Sequence, residues 1–64
     1  MKTFCVYLLG REEAVEVRAD WFALVGDPGD QSYRFKVKTN EGSEVVGEVP
    51  ARNLLFVIEK EALA

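Results

Sequence analysis

Few residues in this chain combine the types and spacing that chemistry needs. There is one cysteine, Cys5, and no histidine in 64 residues. Acid–base catalysis near neutral pH therefore lacks its commonest side chain, and zinc lacks a preferred ligand. Cys5 lies inside the apolar run Phe4–Leu9, with no basic sequence neighbour to favour a thiolate. It reads as a small buried hydrophobe in a reducing compartment. Glu12 and Glu13 are adjacent carboxylates, but they stand in a turn with nothing to make one of them an acid. Asp27, Asp30 and Ser32 offer oxygens, without the alternating carboxylates and closing glutamate of a calcium loop. No glycine-rich phosphate loop follows a strand. The expectation is a protein that is not an enzyme and holds no metal or cofactor.

Two kinds of binding chemistry remain. Arg34, Lys36 and Lys38 recur at every second position, and Arg52 adds a further cation. With Trp21 or Tyr33 as a stacking platform, these would suit a small nucleic-acid binder. Against this, the net charge is −3, and Glu48 and Glu44 are spaced to answer Arg34 and Lys38. The other chemistry is apolar. The first and last strand candidates are apolar on both faces, and Trp21 and Phe22 are adjacent, so one ring must lie outside or at a corner. Trp21, Phe22, Tyr7, Leu55 and Val57 are therefore the candidates for an interaction surface. The favoured expectation is a non-catalytic module that self-associates or docks on a partner protein, with nucleic acid as the alternative. A short barrel that wraps tightly enough to bury both strand faces by itself would need neither.

The element that positions most of these residues is a central hairpin. Tyr33, Phe35 and Val37 alternate with Arg34, Lys36 and Lys38, the period of a half-buried strand. Val45, Gly47 and Val49 then alternate with Glu44, Val46 and Glu48. A three-residue loop Asn40–Gly42 with Gly42 at positive φ would pair Thr39 with Ser43. That register sets Lys38 against Glu44, Val37 against Val45, Phe35 against Gly47, Arg34 against Glu48 and Tyr33 against Val49.

Before the hairpin, Phe4–Leu9 is a strand and Gly10–Glu13 a turn. Pairing Leu9 with Ala14 would bring Leu8 opposite Val15, Val6 opposite Val17 and Phe4 opposite Ala19. Ala14–Asp20 alternates, and the phase fails at Trp21–Val25. A kink or bulge near Ala19–Asp20 would re-aim this strand. A rival reading is helical, because Ala14, Val17, Trp21 and Leu24 follow a three-four-three spacing. Gly26–Ser32 has the composition of a loop. Pro50 ends its strand, one turn of 3₁₀ helix follows, and Leu54–Ile58 is a last strand doubly apolar. Residues 59–64 form a tail. The apolar start is too short for a leader, and charges follow it at Arg11–Glu13. The chain is expected to be one small domain, residues 1–64, in the cytoplasm.

The order of parts resembles the Src-homology-3-like small barrel, an all-β fold of five antiparallel strands with a one-turn 3₁₀ helix before the last. Gly47-Glu48-Val49-Pro50-Ala51-Arg52-Asn53-Leu54 is similar to that family's Gly-x-apolar-Pro-small-Asn-Tyr-Val run. The groove tyrosine of the run falls at Asn53 and its asparagine at Arg52, so recognition of proline-rich peptides does not carry over. The resemblance to the related Sm-like barrels is weaker. It rests on Val49, Asn53 and Leu54, and the uridine-binding residues are absent. The layout is also that of many tiny bacterial proteins, for which it implies a fold alone.

Overall fold

The computed structural model describes residues 1–63; of the tail, Ala64 lies outside them. The chain is all-β, in six strands and two 3₁₀ turns. The strands are β1 (Lys2–Leu8), β2 (Val15–Ala19), β3 (Trp21–Asp27), β4 (Asp30–Thr39), β5 (Gly42–Pro50) and β6 (Leu54–Glu59). The turns are η1 (Ala51–Asn53), just before the last strand, and η2 (Lys60–Leu63). The strands make two three-stranded antiparallel sheets, ordered β2-β1-β6 and β3-β4-β5. The count is six and not five because the long second strand breaks at Asp20. Among the described residues no ladder joins the two sheets into a closed barrel.

The break at Asp20 is where the alternation in the sequence fails. The helical reading of Ala14–Leu24 is overturned: β2 and β3 occupy it, pairing with β1 and β4 respectively. The Asp20 N–H donates to the Lys36 carbonyl at 2.8 Å. Its carboxylate accepts the Lys38 N–H at 2.7 Å, so both sides of the bend are tied to β4.

Strand parity follows the sequence from β1 to β4, the two expected registers differ in detail, and bulges reverse parity in parts of β5 and β6. Phe4 pairs with Val17 and Val6 with Val15, two residues away from the expected partners. The shift of two keeps every side chain on its expected face. It arises because the connection is longer than Gly10–Glu13. The Arg11 N–H closes a turn onto the Leu8 carbonyl, with Gly10 at φ +83°. In the β4–β5 hairpin the base is as expected: Tyr33 faces Val49, Arg34 faces Glu48 and Phe35 faces Gly47. The tip differs. Its turn is the pair Asn40-Glu41, so Thr39 faces Gly42, Lys38 faces Ser43 and Lys36 faces Val45. Val46 is the extra residue of a bulge that restores the inner register. The expected Gly26–Ser32 loop is a tight hairpin instead, with Pro28-Gly29 at its tip and Gly26 and Gly29 at φ +105° and +88°.

The core is small. Phe4, Val6, Ala19 and Phe35 form the buried cluster, with Leu8, Val17, Tyr33, Val49, Leu54 and Val57 packed around it. The Phe4 ring meets Phe22 edge-on at 5.3 Å and Phe35 at 5.8 Å. Such pairs add about 0.5–1.5 kcal/mol beyond area burial. Beyond this cluster the two hairpins of the second sheet project. The Cα radius of gyration is 12.1 Å, against roughly 10.7 Å for a compact chain of this length.

Candidate interaction surface

The outer face of the first sheet is built by alternation. In β1, Phe4, Val6 and Leu8 turn to the core, which sends Thr3, Cys5 and Tyr7 the other way. Cross-strand partners share a face, so Glu16 and Arg18 of β2 join them, as do Ile58 and Phe56 of β6. Cys5 is buried there, apart from the core cluster, on the strand that η2 contacts. Lys60 of η2 reaches across β1 to Glu16 at 3.3 Å.

Past that ion pair the face is apolar. Tyr7 and Phe56 stack, with centroids 4.3 Å apart and planes 18° from parallel. Phe56 is nevertheless 53% exposed, and Leu55 beside it 59%. Leu9, at 65% exposure, continues the same strand into the turn, its N–H bonded to the Asn53 carbonyl at 2.8 Å. Leu9, Leu55 and Phe56 are thus three exposed large apolar side chains at one end of the β1–β6 pair, with the half-buried Tyr7 stacked on Phe56.

This surface departs from the expected one chiefly because of one bulge. Leu8 pairs with Leu54 and Tyr7 with Phe56, which leaves Leu55 as an extra residue in β6. The bulge reverses parity beyond it. Val57, expected on the surface, turns inward against Val6 and packs on the core. Phe56 takes the outward place. Strict alternation from Leu54 could not show this, because the bulge is set by pairing with β1. Leu9 shares a strand face with Cys5 and Tyr7 in the sequence pattern but was not among the expected surface residues.

Trp21 and Phe22 point to opposite sides of β3, and each is 38% exposed. Trp21 lies outward, opposite Lys36. Phe22 lies inward, with its ring 5.5 Å from Phe35 and 6.0 Å from Tyr33. Phe22 is thus the open edge of the core. Leu24, two residues on, is 47% exposed on that same inward side.

Of the basic candidates, Arg34 is taken by Glu48, Nε to Oε1 at 2.8 Å. Lys36 is half-buried between Trp21 and Val45, and Lys38 is exposed near the hairpin tip. Arg52 stands on η1, off this row. The Lys38–Glu44 pair does not form, because the shorter turn sets Lys38 against Ser43. Among the described residues no three potential metal ligands cluster, and no helix is long and apolar enough to cross a membrane. No family model, curated protein or solved structure matches the chain.

Proposed function

We propose that this chain is a non-catalytic protein-binding module of the small SH3-like barrel kind, working in the cytoplasm. Counting β2 and β3 as one bent strand gives five strands, with η1 before the last, which is the arrangement that the reading rests on. Binding is assigned to the outer face of the β1–β6 pair. The observation that carries it is the stacked Tyr7–Phe56 pair, more than half open on its Phe56 side and flanked by Leu55 and Leu9. Apolar side chains ordered against one another yet left in water are the usual mark of an interface centre, where aromatics are enriched.

The test is a double variant, Leu55→Lys with Phe56→Lys. Both side chains are exposed, so the fold should survive, as circular dichroism would show. Immobilised wild-type and variant proteins are each offered free wild-type chain and a lysate of the source cells. The expected result is that everything retained by the wild type is lost with the variant. Identical retention by the two would remove this face from the account.

Nucleic acid is the alternative. It is favoured by one observation, Lys36 standing across from the outward Trp21 with Lys38 on the same face. It is weakened by the Arg34–Glu48 pair and the net charge of −3.

A further inference from the structure

The outer face of the first sheet is open at one end and closed at the other. Tyr7 and Phe56 make one cross-strand row, and Glu16, Cys5 and Ile58 make the next. The first row is open on its Phe56 side. In the second, Cys5 is only 6% exposed and Ile58 is half-buried, although both point away from the core cluster. The outer face of an antiparallel sheet commonly meets water, so residues on it are buried only by something laid over them. That cover is η2, which packs on β1 and β6. Its Lys60 reaches past Cys5 to Glu16 on the far strand.

The cover is lightly held. η2 is four residues of 3₁₀ helix, a geometry with poor hydrogen bonds. Among the described residues no backbone hydrogen bond ties it to the sheet. Its side-chain tether is the Lys60 ammonium, which donates to both Glu16 carboxylate oxygens at 3.3 Å. Both partners are more than half exposed, and such a pair contributes about 0.2–1 kcal/mol.

What the turn covers is a continuation of the binding face. Cys5 is the outward neighbour of Tyr7 along β1, and Ile58 is the outward neighbour of Phe56 along β6. We propose that η2 is a releasable strap over this face. With the Lys60–Glu16 clasp open, Cys5 and Ile58 join Tyr7 and Phe56 in one apolar stripe along the β1–β6 pair. The proposal rests on the reading of the Tyr7–Phe56 face as the binding surface. Strap and partner then compete for the same two strands, and closure lowers the apparent affinity by the fraction of chains that are open.

Cys5 is the one cysteine in the chain, so its alkylation reads the strap directly. The wild-type chain and its variants, each shown folded by circular dichroism, are treated with N-ethylmaleimide, an uncharged reagent, and the adduct is followed by mass. Lys60→Ala and Glu16→Gln should each label about 2- to 5-fold faster than wild type, the range that loss of one exposed pair allows. Removing a cation disfavours a nearby thiolate and removing a carboxylate favours it, so a rise in both variants reads exposure and not local charge. The swap Glu16→Lys with Lys60→Glu should return the wild-type rate. Arg34→Ala, which breaks an exposed pair in the other sheet, should leave the rate unchanged. Nile red, an uncharged apolar probe, should bind Lys60→Ala more tightly than wild type.

Equal labelling of wild type, Lys60→Ala and Glu16→Gln overturns the strap. So does an equal rise in Arg34→Ala, which would place the labelling in global unfolding. Faster labelling with no gain in Nile red binding overturns the uncovering of an apolar stripe. Neither readout needs a partner, so the strap can fail while the capture experiment upholds the Leu55–Phe56 face, and the reverse.

Discussion

The Asp20 carboxylate accepts the backbone N–H of Lys38 at 2.7 Å, and that bond holds the bend of the long strand against the neck of the central hairpin. The same residue's N–H donates to the Lys36 carbonyl. One residue, through its backbone N–H and its carboxylate, therefore ties the junction of β2 and β3 to β4.

Replacing Asp20 by alanine removes an acceptor from a backbone donor on β4. The expected loss is about 0.5–1.5 kcal/mol, since the site is half-exposed and water can take the acceptor's place. Asp20→Asn keeps an acceptor oxygen and should lose less. Urea denaturation of the three proteins would check the order, and an alanine variant as stable as wild type would show the bend to be held by the ladder alone.

Two glycines should respond in opposite ways. Gly26 has φ +105°, and a Cβ there would stand 2.5 Å from the Asp30 carbonyl oxygen. Gly26→Ala should cost about 1–3 kcal/mol through backbone strain. Gly47 has ordinary strand backbone, and a Cβ would meet Val17 at 3.8 Å and Phe35 at 4.0 Å. Gly47→Ala should leave stability unchanged or raise it by about 0.5 kcal/mol. Thermal melts of both variants test the pair, and a destabilised Gly47→Ala protein would mean that the Phe35 ring leaves no room.

How much of this was legible differs by residue. The strands of the central hairpin were readable because Tyr33–Lys38 alternates without a fault, and Phe35 stands opposite Gly47 as expected because the shorter turn and the bulge at Val46 offset each other. The bend at Asp20 was readable from the failure of alternation at Trp21-Phe22. The bulges at Val46 and Leu55 were not, because a bulge is a property of two strands and leaves both sequences unremarkable. The outward turn of Phe56, and with it the stack on Tyr7, was hidden for that reason. The β1–β2 register slipped by two because parity fixes the face of a residue and leaves its partner undetermined.

The Arg34–Glu48 pair is short but open, with both side chains close to half exposed. Arg34→Ala should change stability by less than about 1 kcal/mol. With Arg34 neutralised, fluorescence anisotropy with a single-stranded oligonucleotide at low salt should show no binding. Salt-sensitive binding abolished by Lys36→Glu would instead promote the nucleic-acid alternative.

The most direct measurement of the central claim is retention by the immobilised wild-type chain beside Leu55→Lys with Phe56→Lys, both shown folded by circular dichroism. The account predicts that whatever the wild type retains, free chain or lysate protein, is lost with the variant. Equal retention by the two would contradict the placement of binding on the Leu55–Phe56 face.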